Sequence, residues 1–350
     1  MDRRLRTTTM LTAVWVLVLA APALACGGLV GENGTIQLVR TTTLSAYSDG
    51  VQRYVTAFQF TGETGEAGEV GSIVPLPDVP TDVVRGGDWT LQRLAQEVAP
   101  PVAARASTES AEDSAAGAAE VLLETEIDAL DITVLRGGAD EVGRWAVDNG
   151  FFLTPDAPEM LDFYAERSEI FMAAKFDASR AAELGQGEGD ATPIMLTIPT
   201  DQPWVPLRIL GLGADDGDVI EADVFVLTDE EPQLLAGGRG LSLERSEPAS
   251  PSLLTDLRSD VGMEWVPDAM WLTYLQLDAP AGELTYDLAI SADPEVPPSL
   301  ADAGIAERAA AVPVTTEANP TGWPLLLGTV AGAATLILIR RARRSPEGSS

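Results

Sequence analysis

Apolar and polar residues alternate over several stretches, the period of a half-buried strand. Residues 35–40, 51–60 and 69–76 read as strands, separated by Gly, Ser and Asp turns. Asp88 then caps a helix carrying Leu91, Leu94, Ala95 and Val98 on one face. A long β segment spans 120–135, and short helices follow at about 139–148 and 157–167. In the first of these Val142, Trp145 and Ala146 point inward, and Asp156 caps the second. Further strands are expected at 169–177, 192–199, 204–213, 219–228, 270–278 and 283–290. Strands in runs with a patch of helices between them predict a strand-rich α+β body, mostly antiparallel. No long repeat is present. Val84-Arg85-Gly86-Gly87 and Leu135-Arg136-Gly137-Gly138 echo each other ahead of two of the expected helices.

Two apolar runs break this pattern, one at each end. Met-Asp-Arg-Arg-Leu-Arg opens the chain, an apolar run follows to Ala21, and Ala23-Leu24-Ala25 precedes Cys26. A basic start, a short apolar run and a small-residue exit make residues 1–25 a signal peptide, cleaved between Ala25 and Cys26. Cys26 invites lipidation, but Ala23 stands where a lipobox carries Leu, so simple cleavage is the expectation. At the other end, nineteen uncharged residues from Thr321 reach roughly 28 Å as a helix. A transmembrane helix is therefore expected over 321–340. Trp323 would sit at one interface and Arg340, Arg341, Arg343 and Arg344 on the cytoplasmic side, leaving 341–350 as a basic cytoplasmic tail. The body would then lie outside the cytoplasm, held to the bilayer by a single pass. Gly328-x-x-x-Gly332 has the spacing of a close helix pair. Asn319-Pro320-Thr321-Gly322 falls one residue short of a wall-sorting pattern, leaving wall attachment a minor alternative.

Between these ends the body is expected over 26–292, with an alanine-rich flexible insertion at 99–119 and a proline-rich stalk at 293–320. The chain of 350 residues has 22 basic and 54 acidic side chains, a net of −32. Set aside the seven arginines at 3, 4, 6, 340, 341, 343 and 344 with Asp2 and Glu347. The rest holds 15 basic and 52 acidic side chains, a net of −37. Such a field excludes nucleic acid as a partner and allows weak cation binding. The sequence contains no histidine, so Ser-His-Asp and Cys-His catalysis and imidazole switching are excluded. Its one cysteine, Cys26, leaves no intrachain disulfide and no thiolate metal cluster.

Several segments carry residue types that could do chemistry. Gly211-Leu-Gly213-Ala-Asp-Asp-Gly217 imitates a dinucleotide loop, but a strand pattern follows where a helix must begin, so a hairpin turn is expected. Asp215, Asp216 and Asp218 could hold calcium, yet they miss the usual loop spacing and read as a solvated turn. Lys175 is the only lysine. The strand pattern buries Ile170, Met172, Ala174 and Phe176 and leaves Lys175 beside Asp177 as a solvent-facing ion pair. Trp265, Trp271 and Tyr274 could plate a sugar but read as core aromatics. Asn33-Gly-Thr35 is a sequon, relevant only in a glycosylating host. Catalytic, cofactor and metal residues are therefore not assigned.

Ala25-Cys26-Gly27-Gly28, Asp148-Asn149-Gly150-Phe151 with Leu161 and Tyr164, and Phe171-Met172-Ala173-Ala174-Lys175-Phe176 form one set of shared motifs. Pro203-Trp204-Val205-Pro206-Leu207-Arg208 and Trp271-Leu272-Thr273-Tyr274-Leu275 complete it. Over about 25–292 the chain resembles the secreted bacterial family called domain of unknown function 2330. The resemblance implies the architecture and no activity. Where relatives carry a second cysteine soon after the first, this chain has Gly31, so a disulfide expected from them is absent. Two readings remain: a non-enzymatic envelope module that binds an envelope partner or serves structure, and an extracytoplasmic hydrolase using paired carboxylates, with or without a metal.

Overall fold

The alternating stretches build three sheets in a computed structural model that describes residues 28–31, 41–59, 70–98, 119–186, 191–236 and 238–305. The largest sheet has seven strands. In spatial order these are β13 (Leu241–Pro248), β14 (Trp271–Pro280), β11 (Val219–Thr228), β2 (Thr41–Ser48), β3 (Val51–Gln59), β9 (Ala191–Pro199) and β5 (Asp82–Arg85). The second has five: β1 (Gly28–Gly31), β4 (Val70–Pro75), β8 (Ile170–Phe176), β7 (Leu130–Arg136) and β6 (Glu120–Ile127). The third has three short strands, β10 (Trp204–Val205), β15 (Leu288–Ser291) and β12 (Gln233–Ala236). Only β2 and β11 pair in parallel among the described strands.

Four layers follow from which face each side chain takes. Tyr54, Ile194, Leu196, Val224 and Leu275 of the large sheet meet Val74, Ile132, Val134 and Met172 of the five-stranded sheet in one shared core. The outer face of the large sheet, with Leu44, Val55, Phe225 and Leu272, is covered by α1 (Thr90–Val98) and α5 (Pro251–Ser259) through Leu91, Leu94, Leu253 and Leu257. The outer face of the other sheet, with Ile73, Leu135, Phe171 and Ala173, is covered by α2 (Ala139–Asp148) and α3 (Ala157–Ala165). The described residues thus form a helix–sheet–sheet–helix sandwich, with a short α4 (Ala178–Leu184) at the side, N-capped by Asp177. The two Arg-Gly-Gly echoes both mark a strand end leading into a covering helix, β5 into α1 and β7 into α2.

Several expectations change. The expected strand at 35–40 lies outside the described residues, and the next eight residues, read as a turn, form β2. Its Leu44 and Ala46 face one core while Thr43 and Ser45 face the other, and all four are buried, so polar and apolar residues alternate here without an exposed face. The same cause corrects β8, where Phe171 and Ala173 are buried as fully as Met172 and Ala174. The segment at 120–135 is a hairpin, turned at Asp128, whose φ of 54° is one an Asp tolerates. The strand expected over 204–213 stops at Val205, since Pro206 has no N–H to continue the ladder, and a 3-10 turn follows at Arg208–Gly211. The strand expected at 283–290 begins only at Leu288, after a second 3-10 turn at Ala281–Glu283. Strands β1, β5, β12 and β13 and helices α4 and α5 were not expected.

The strand-rich α+β class stands, but the transmembrane helix within it is corrected. No helix among the described residues is long and apolar enough to cross a membrane. The longest, α2 with ten residues, reaches about 15 Å, half a hydrocarbon layer. The segment 321–340 with Trp323, Arg340, Arg341, Arg343 and Arg344 lies outside the described residues. So do the processing residues Ala23, Ala25 and Cys26 and residues 99–118 of the insertion expected at 99–119, whose last residue, Ala119, is buried in the outer core. The start of the expected stalk belongs to the body: Ala303 and Ile305 are buried in the inter-sheet core, and the Asp287 N–H donates to the Ala303 carbonyl at 3.1 Å.

Candidate functional site

Asp287 stands immediately before β15 and is fully buried. Its Oδ1 accepts from the Leu207 N–H at 2.7 Å, the Arg208 N–H at 3.1 Å and the Tyr164 hydroxyl at 2.9 Å. Its Oδ2 accepts from Arg167. The Tyr164 oxygen in turn accepts from the Ile209 N–H at 2.9 Å. One carboxylate thereby gathers the end of α3, the N–H groups opening the 3-10 turn, and β15. Trp204 closes the cluster, stacked on Tyr164 at 5.9 Å, with the Arg167 guanidinium 4.0 Å from its ring centre. Burial, with the Asp287 charge added, holds the Tyr164 phenol well above its ordinary range, against the opposing pull of Arg167. Burial also raises Tyr286, helped by Asp287 and Glu283. Both phenols are neutral at physiological pH, and Tyr164 serves as a fixed donor to Asp287. The arrangement staples elements together.

A second buried acid works the same way. Asp260, just past α5, accepts from the Asp88, Trp89 and Val261 N–H groups at 3.1, 3.0 and 2.9 Å and from the Thr90 hydroxyl at 2.8 Å. It caps α1 in place of Asp88, which instead pairs with Arg85. Arg85 Nε also donates to buried Asp128 at 2.9 Å, and Arg180 Nε donates to the Asp128 carbonyl at 3.0 Å. Buried Arg180 pairs with Asp131 as well.

The residues singled out in the sequence fall at separate places. Lys175 donates to the Asn149 carbonyl at 3.1 Å, while Asp177 is taken up by the α4 cap, so the expected solvent-facing pair is replaced by two structural roles. Residues 213–218 form the expected turn into β11, with Asp218 Oδ2 accepting from the Asp215 N–H at 3.0 Å. Among the described residues no three Asp, Glu, His or Cys side chains gather as a metal site would require. Tyr274 is buried, stacked on Phe225 at 4.9 Å, and its hydroxyl donates to Asp223 at 2.6 Å. Trp271 donates to the Ser246 hydroxyl at 2.8 Å. Trp265, in the loop joining α5 to β14, lies under the Arg53 guanidinium at 4.6 Å. These three aromatics hold three different contacts, and Tyr274 has no open face to offer a sugar.

Sequence reasoning missed Asp287 and Asp260. The signal for Asp287 was a lone acid inside the apolar run Tyr286-Asp287-Leu288-Ala289-Ile290. Tyr164 and the Trp204–Arg208 segment, both within the shared motifs, converge on it.

The fold and its staples define a layered α+β body whose buried acids are structural. A family profile for an uncharacterized protein conserved in bacteria, DUF2330, matches residues 20–231, and the chain belongs to that family. No curated protein matches the chain in sequence. Among solved structures it is similar to baculovirus P35, at 10% identity and a TM-score of 0.34 over 72% of this chain and 93% of that one. A mutated baculovirus P35 after caspase cleavage gives 9% identity and a TM-score of 0.32, over 72% and 95%. Likeness this loose carries no functional argument.

Proposed function

We propose that this chain is an exported bacterial binding or structural module working outside the cytoplasm, rather than a hydrolase with paired carboxylates. The observation that carries the reading is the use made of its buried acids. Asp128, Asp223, Asp260 and Asp287 are all at most 9% exposed, and each receives a hydrogen bond from an arginine, a tyrosine or backbone N–H groups of another element. A general acid needs a proton it can give up and access to substrate, whereas these carboxylates are fixed acceptors inside the packing. The charged start, apolar run and Ala23-Leu24-Ala25 exit support export. The acidic surface opposes polyanions such as nucleic acid.

Protease added to spheroplasts tests the location. An epitope inserted within residues 99–118 is expected to be digested without lysis. Protection of that epitope until the cells are broken would overturn the proposal.

A further inference from the structure

Basic side chains are scarce here, and of the described arginines that make no ion pair, Arg144 and Arg239 are exposed. Arg85, Arg93, Arg136, Arg167, Arg180, Arg208, Arg245 and Arg258 each pair with a carboxylate. Arg53 differs. It projects from β3 on the outer side of the large sheet, half-buried, between Ala46 and Thr197 in register. Its one contact of note is the face of Trp265, and among the described residues no carboxylate lies within ion-pairing distance of it. Burial lowers its pKa, and the charge of Asp49 only partly offsets that. The Trp265 indole N–H is likewise shut from water without an acceptor among the described residues. In a chain with more than twice as many acids as bases, one half-buried guanidinium among the described residues has no carboxylate partner and lies against a ring instead.

We propose that Arg53, held against Trp265, is a recognition site for a single carboxylate group, the free C-terminus of a peptide with no other charge being the form that fits. A guanidinium presents parallel N–H donors spaced for the two oxygens of a carboxylate. Contact with the ring restrains the side chain beforehand, so less freedom is lost when the bonds form. The negative field of the surrounding body disfavours polyanions such as nucleic acid or polyphosphate, and leaves a singly charged ligand as the match. Trp265 is a positioning residue, and Arg53 makes the contact. This deepens the binding reading above and rests on it, but it is tested on purified protein, so its failure is distinct from a failure of export.

The test is a titration of the purified full chain, with labelled indole nitrogens, by N-acetyl-tri-alanine and by its C-terminal amide at matched ionic strength. The Trp265 indole resonance is identified by its loss in Trp265→Phe. It is expected to shift saturably with the acid and to stay in place with the amide. Arg53→Gln is expected to weaken binding by about tenfold or more, and Arg53→Lys, which keeps the charge but not the fork, to weaken it as well. Absence of a saturable shift, an equal response to the amide, or unchanged affinity in Arg53→Gln would each overturn the proposal. Arg53→Gln must keep the parent unfolding midpoint for its loss to count in favour. If it does not, Arg53→Lys with an unchanged midpoint decides by the same criterion.

Discussion

Tyr164 and Asp287 lie 123 positions apart in sequence, and both are completely buried where the hydroxyl of one meets the carboxylate of the other at 2.9 Å. Tyr164→Phe removes a donor from Asp287 and an acceptor from the Ile209 N–H, leaving both short of a partner without opening a cavity. A loss of about 1–3 kcal/mol is expected in denaturant unfolding of the full chain. Asp287→Ala should cost more, because Arg167 would be left as an uncompensated buried cation. A Tyr164→Phe chain as stable as the parent would show that the staple is incidental.

How much of this was legible in the sequence depends on how far apart the partners lie. Helix α2 coincides with its expected span because it has one clean apolar face, and strand β11 does so because its apolar run, buried on both faces, follows a Gly-Asp turn. Strand β2 hid because both its faces are buried, and Thr and Ser fill five of its eight positions where polar residues are normally read as exposed. The cap on α1 could not be read locally either, since the residue that caps it is Asp260, beyond the end of α5. Motif residues such as Tyr164 and Trp204 were visible as packing groups, but their common partner is set by tertiary structure alone.

Alkaline pH should expose the same cluster. Tyr164 and Tyr286 have folded-state pKa values raised above the ordinary 10, by burial first. Between the unfolded and folded values the folded state holds the proton and the unfolded state does not, so stability falls as pH rises. The contribution is complete below about pH 10 and is lost above it, at about 1.4 kcal/mol per pH unit for each group. The unfolding midpoint should be insensitive to these groups from pH 7 to 9 and then drop, less steeply in Tyr164→Phe. Equal alkaline slopes in parent and variant would contradict this.

Gly87 is required by a close approach. A Cβ there would lie 2.3 Å from Asp260 Oδ2 and 2.4 Å from Thr90 Oγ1, inside the group that caps α1. Gly87→Ala should therefore cost about as much as the loss of a helix cap, 1–2 kcal/mol. Gly138→Ala, at the corresponding place in the second Arg-Gly-Gly segment, meets nothing within 4 Å and should cost less. Equal losses at the two positions would count against the Asp260 cap.

Charge sets a further expectation. Folding draws the excess of acids together, and screening relieves their repulsion as the Debye length falls from roughly 30 Å at ~0.01 M to about 8 Å at ~0.15 M salt. The thermal midpoint should rise over that range of sodium chloride. A flat or falling midpoint would mean that the ion pairs of Arg85, Arg93 and Arg180 outweigh the general repulsion.

Export is the claim on which the functional reading turns, and the mature N-terminus reports it directly. Mass spectrometry of the N-terminal peptide from the expressing bacterium should find a chain beginning at Cys26 with a free α-amine, cut after Ala23-Leu24-Ala25. A chain that retains residues 1–25 would contradict the account.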